Sequence, residues 1–197
     1  MHRVTRPDAP GVFAENALRW RDQYVLRRAD GPASFDWYVA GGVRARDIAL
    51  EALRIMTAGH CAYCDGYPVF LGETIDHFRP KSTWPELAYD WGNLYVCCAQ
   101  CQKRGDRFDE GLLRPDASDY AFDRYFECDL ATGRLAPAGD ASPDDQGRAA
   151  VTIQLFNLNH PTLVVLRRDA WAKRREPSTD EDPFRFLPPR LVPPTST

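Results

Sequence analysis

The sequence predicts an α+β fold in which a small cysteine-rich centre is wrapped by N-terminal and C-terminal helices. Three features of the 197-residue chain lead there. Two CxxC pairs, Cys61-Ala-Tyr-Cys64 and Cys98-Ala-Gln-Cys101, stand 33 residues apart in the middle of the chain. Apolar residues recur at helical spacing on both sides of them. An acidic stretch carrying Pro and Gly then separates the centre from the returning helices. The plan is a helical part over 1–56, a compact centre over 57–110, a loop, hairpin and helix region over 111–176, and a tail over 177–197.

Taken in order, Phe13, Ala17, Trp20 and Tyr24 mark an amphipathic helix between Gly11 and Gly31. Ile48, Ala52, Ile55 and Met56 mark a second one before Gly59, and both helices should lay these faces on the core. Between Asp116 and Gln146 the turn residues predict loops around a hairpin near Tyr125 and Phe126. Ala150, Val151, Ile153, Leu155 and Leu158 restore a helical face. Asn159-His160-Pro161 then caps and restarts the chain into a helix running to about Arg175. The tail holds six prolines with little periodicity, so it should be disordered or draped on a partner.

Composition narrows the function. An apolar share of 44% and a charged share of 27% belong to a folded globular chain. The first residues lack an apolar run, and no stretch nears the ~20 apolar residues of a membrane helix, so a cytoplasmic protein with no membrane association is expected. The formal charge is −3, whereas a chain that grips nucleic acid unaided is usually basic. Charge is segregated, however: residues 105–147 carry 4 basic and 11 acidic side chains, and residues 148–176 carry 6 and 2. These runs are either solvated faces or a sign that a partner supplies the grip.

In a reducing compartment, paired cysteines more often hold metal than disulfides. Two CxxC turns supply four thiolates, the closed shell of a structural Zn²⁺ at ~2.3 Å per bond. A thioredoxin-like redox role is the competing chemistry, and the absence of a surrounding βαβ pattern speaks against it. Cys97 and Cys128 are left as buried or inert thiols.

Between the two pairs lie Glu73-Thr-Ile-Asp76-His77-Phe-Arg79-Pro-Lys81-Ser82 and Tyr89-Asp-Trp91-Gly-Asn93-Leu-Tyr95. Here the chain resembles the HNH endonucleases. An Asp-His pair closes a first short strand, an Asn precedes a second strand, and the second CxxC leads into a helix, which is that family's ββα-metal arrangement. CAYC, IDHFRPKS, DWGNLY and the downstream AAVTIQLFNLNHPTLVVLRRDAW look like the HNH nuclease subunits of Septu-type and retron-associated anti-phage systems, over roughly residues 57–172. The resemblance implies an HNH zinc core, an ATPase partner of the ABC class, and DNA in preference to RNA as substrate.

The residues suit phosphodiester cleavage. His77 has the side chain whose ordinary pKa of ~6.5 fits it to deprotonate a water, so it is the candidate base. Asp76 offers an anionic oxygen to Mg²⁺ or Mn²⁺. The resemblance gives Asn93 the task of holding the imidazole and its backbone in place, and gives the residue after Cys101 a place in the catalytic metal shell. That residue is Gln102, where the family carries Asn or His, and its extra methylene changes its reach. Arg79 and Lys81 beside the base, with Lys103 and Arg104 after the second CxxC, are candidate phosphate contacts, each weighed against being a solvated surface charge. His60, His160 and His2 are given no site role. Trp84, Tyr89, Trp91 and Tyr95 are read as core before base-stacking platforms. The contrasting function class is a non-catalytic zinc module that scaffolds a partner or binds nucleic acid.

Overall fold

The computed structural model describes residues 1–31, 33–67 and 72–189. It is mixed α+β, and its organising element is an antiparallel hairpin of β3 (Glu73–His77) and β4 (Leu94–Cys98), whose register runs from Glu73 opposite Cys98 to His77 opposite Leu94. Side chains alternate across a strand, so Ile75, Leu94 and Val96 serve one face of the hairpin while Tyr95 and Cys97 serve the other. Each face has its own apolar core.

The first core is built from α1 (Gly11–Ala29) and α2 (Ala45–Thr57), joined by a small hairpin of β1 (Val39–Ala40) and β2 (Val43–Arg44). Phe13, Trp20 and Tyr24 of α1 are buried there, as their spacing predicts. On α2 the buried face is Ala45, Ala49, Leu50, Leu53 and Thr57, not the predicted stripe, and Ile55 is 71% exposed. The sequence offers α2 two apolar stripes, and Leu50 and Leu53 with Ala45 and Ala49 take the core side, while Met56 of the other stripe is partly buried against both cores. Ala58 and Gly59, at φ 53° and 76°, end α2 in the left-handed conformation of a helix C-terminus.

The second core lies across the hairpin. It gathers Tyr63, Phe78, Tyr95, Tyr125, Phe126 and Phe156 with α5 (Pro143–Leu155), and the start of α6 (Pro161–Lys173) enters through Leu163. Before them come α3 (Ala99–Gln102), α4 (Phe122–Tyr125) and the hairpin of β5 (Phe126–Asp129) with β6 (Arg134–Pro137). Helix α5 starts earlier than its apolar pattern suggests, because Ser142 accepts a hydrogen bond from the Asp145 N–H and Pro143 opens the first turn. His160 caps α6 by accepting from the Thr162 N–H.

The tail departs from expectation as far as it is described. Arg185 grips Asp65 through its backbone N–H at 2.6 Å and its guanidinium at 2.7 Å, and Phe184 and Leu187 are buried. Phe186 stacks on Phe122 with centroids 4.1 Å apart. Three apolar side chains and a buried ion pair outweigh the weak periodicity, so this segment is a strap on the chain's own body; residues 190–197 of the tail lie outside the described residues. No helix among the described residues is long and apolar enough to cross a membrane.

Candidate functional site

Four buried cysteines, Cys61, Cys64, Cys98 and Cys101, bring their sulfurs within 4.8 Å of one another. The first pair sits on a tight turn in which the Asp65 N–H donates to the Cys61 carbonyl at 3.0 Å and the Ala62 N–H donates to Val96 at 3.0 Å, tying the turn to β4. The second pair forms where β4 becomes α3, and the Cys98 N–H points at Cys61 Sγ from 3.4 Å. A tetrahedron with ~2.3 Å bonds has edges of about 3.8 Å, and Cys64 Sγ lies 3.8 Å from Cys98 Sγ. The donor set and its spacing therefore fit a metal such as zinc. Hydrogen bonds from Cys101, then Cys61 and Cys64, pull the Cys98 thiol below the usual thiol range, and hydrogen bonding with the same sulfurs pushes Cys101 above it. Cys97 stays outside the cluster, and burial, then the Asp76 charge, pushes its thiol up.

The hairpin carries the predicted catalytic residues into two different environments. His77, the last residue of β3, is 6% exposed and hydrogen-bonds through Nε2 to the Ala88 carbonyl at 2.9 Å. A carbonyl only accepts, so Nε2 bears the proton and Nδ1 keeps its lone pair. Phe35 meets the ring edge-on at 5.1 Å and Trp37 stacks at 6.1 Å. Burial, helped by the nearby Lys81 ammonium, lowers the His77 pKa to about 3, so the ring is neutral at physiological pH.

Asn93 joins the two ends of the long β3–β4 connection. Its Oδ1 accepts from the Arg79 N–H at 2.8 Å, and its Nδ2 donates to the carbonyls of Arg79 at 3.0 Å and Leu87 at 3.1 Å. Leu87 precedes Ala88, so the clamp also positions the carbonyl that fixes His77.

Asp76 faces away from His77, into the core beside the cysteines. Its Oδ2 accepts from the Tyr63 hydroxyl at 2.7 Å and from Arg104 Nη2 at 2.8 Å, in a pair whose side chains are 3% and 0% exposed. Gln102 Oε1 accepts from the Cys97 thiol at 3.3 Å. Mg²⁺ keeps several waters and near-octahedral geometry. A carboxylate sealed from solvent and already answered by a guanidinium, beside an amide oxygen turned to a thiol, does not fit such an ion as arranged.

The basic residues divide. Arg104 is a correction: it is buried by its contacts to Asp76 and to the carbonyls of His77 and Arg107, and has no face for phosphate. Arg79 pairs with Glu110 at 2.6 Å and lies over Trp84 and Phe108. Lys81 sits 5.0 Å from the Phe35 ring, on the His77 side. Lys103 donates to Gln100 Oε1 at 3.0 Å and lies on the α3 side. Two contributions escape sequence reading. Tyr63, inside the first CxxC, braces Asp76, and the only signal was a hydroxyl-bearing aromatic in that turn. Phe35 and Trp37 shield His77 from a loop 40 residues upstream, which no local pattern announces.

Compared with models of known protein families and with curated proteins, the chain matches none.

Proposed function

We propose that this chain is an HNH-type endonuclease that hydrolyses phosphodiester bonds of nucleic acid, DNA in preference to RNA, stabilised by a four-cysteine zinc. The observation that carries the reading is the fixing of His77: its Nε2–H is spent on the Ala88 carbonyl and its neighbouring loop is clamped by Asn93. A histidine so fixed presents Nδ1 as an acceptor. A water at Nδ1 gives up its proton to the ring as its oxygen forms the new bond to phosphorus; the bond to the O3′ leaving group breaks, and solvent returns a proton to that oxygen. Lys81, on the same side of the hairpin, supplies positive charge for the phosphate. Mg²⁺ or Mn²⁺, implied by the resemblance, is given no step because Asp76 is already engaged. The same resemblance supports a place in a bacterial anti-phage complex with an ABC-like ATPase, a partner that would share in gripping nucleic acid beside a chain of net charge −3.

The test is cleavage of duplex DNA and of total RNA by the zinc-loaded protein, alone and co-purified with its ATPase. His77→Ala should lower the rate ~10²- to 10⁴-fold while zinc content and partner binding hold. Cutting by His77→Ala near the wild-type rate removes His77 from the mechanism. One observation favours a second reading, a zinc scaffold without catalysis: Asp76 is sealed by Arg104. That reading wins if the wild type cuts neither nucleic acid with any divalent ion and any partner.

A further inference from the structure

We propose that Arg104 is the resident countercharge of Asp76 and acts as a latch that keeps divalent cations off this carboxylate. Its meaning rests on the nuclease reading, since Asp76 is the metal ligand that the resemblance implies; the contact itself stands on geometry. Arg104 lies two residues beyond α3, and its Nη2 reaches Asp76 Oδ2 at 2.8 Å and the His77 carbonyl at 2.9 Å, while Nη1 donates to the Arg107 carbonyl at 2.7 Å. Phe156 covers the guanidinium, with 5.3 Å from its ring centroid to Cζ. Tyr63 adds the second donor to the same carboxylate oxygen at 2.7 Å.

A cation entering here would have to displace a delocalised charge already in hydrogen-bond contact, and would have to bring its waters into a space closed by aromatic rings. The latch is not fully satisfied, however. Arg104 Nε is buried with no hydrogen-bond partner among the described residues, and an unmet buried donor weakens the hold of the guanidinium on its site. Arg104 excludes the ion by occupying its place beside the carboxylate.

The test uses the full zinc-loaded chain with Mn²⁺ as probe, read by the electron paramagnetic resonance of free Mn²⁺ and by thermal unfolding with and without the ion. The wild type should bind no Mn²⁺ below about millimolar concentration, the weak end of protein cation sites, and its Tm should ignore the ion. Arg104→Gln leaves Asp76 buried without a countercharge and should lower Tm by on the order of 10 °C. This variant should gain one Mn²⁺ site at least tenfold tighter than any in the wild type, and Mn²⁺ should restore part of the lost Tm. Adding Asp76→Asn should remove both the site and the rescue. A purely structural arginine would give the lower Tm without the Mn²⁺ response. Should Arg104→Gln be insoluble with and without Mn²⁺, Arg104→Lys carries the test, because its compact ammonium leaves part of the carboxylate open and should raise Mn²⁺ affinity over the wild type. The proposal is overturned if the wild type binds Mn²⁺ below millimolar in a manner lost in Asp76→Asn, or if the soluble Arg104 variant gains no Mn²⁺ affinity. Neither result depends on cleavage, so the nuclease reading stands or falls separately on His77→Ala.

Discussion

Replacing Asn93 with alanine should destabilise the protein by roughly 2–4 kcal/mol. The amide makes three hydrogen bonds, all to backbone of the β3–β4 connection, and the residue is 6% exposed. Each such bond contributes about 0.5–1.5 kcal/mol net, and a buried backbone group left without a partner costs ~1–3 kcal/mol. Water entering the gap would satisfy some of these groups, so the cost falls below the sum of the penalties. For a chain of this length each kcal/mol moves Tm by about 2–4 °C, so a fall of roughly 5–15 °C is expected. Asn93→Asp is the sharper perturbation. It keeps the acceptor for the Arg79 N–H but turns an oxygen towards the carbonyls of Arg79 and Leu87, where Nδ2 now donates, so it should be at least as destabilising as alanine. Urea unfolding of the zinc-loaded variants followed by tryptophan fluorescence measures both. Two variants within 0.5 kcal/mol of wild type, or an Asp variant more stable than the Ala variant, would refute the clamp.

Three further outcomes follow from the geometry. Removing the metal by chelation, or substituting Cys98→Ser, should unfold or strongly destabilise the chain, because a structural zinc contributes on the order of 10 kcal/mol at neutral pH; one zinc per chain by elemental analysis is the matching measurement, and unchanged stability after chelation contradicts it. Stability should fall with acid through His77, whose folded pKa of about 3 lies below its unfolded value of ~6.5: the unfolded chain takes up the proton first, so the contribution is whole above pH 6.5 and is lost towards pH 3, at up to ~1.4 kcal/mol per pH unit. His77→Gln should flatten the stability profile between pH 7 and 4, and parallel profiles would exclude the effect. Ending the chain at residue 176 should cost roughly 3–6 kcal/mol from the lost burial of Phe184 and Leu187 alone, measured by denaturant midpoint, and it also leaves Asp65 without Arg185 and strips Arg174 of the carbonyls of Pro183, Phe184 and Leu187. An unaffected midpoint would mean the strap adds nothing.

What the sequence by itself determined is whatever local spacing carries. The CxxC pairs announced a four-sulfur cluster because two residues between cysteines set a turn that aims both sulfurs at one point. Phe13, Trp20 and Tyr24 announced the buried face of α1, Tyr125 and Phe126 the neighbourhood of the β5–β6 hairpin, and Asn159-His160-Pro161 the start of α6. Tertiary structure decided where two local answers competed or where partners lay far apart in the chain. On α2, the stripe of Ile48, Ala52, Ile55 and Met56 competed with the face of Ala45, Ala49, Leu50, Leu53 and Thr57, and it is the second face that is buried, leaving Ile55 exposed. Asp76 and His77 read as one catalytic pair, but adjacent residues on a strand point to opposite faces, so one meets Arg104 and Tyr63 while the other meets Phe35 and Trp37. From the sequence, Arg104 read as a candidate phosphate contact or a solvated charge. Only the fold, by folding α3 back beneath the hairpin, shows that its countercharge is a buried carboxylate 28 residues earlier.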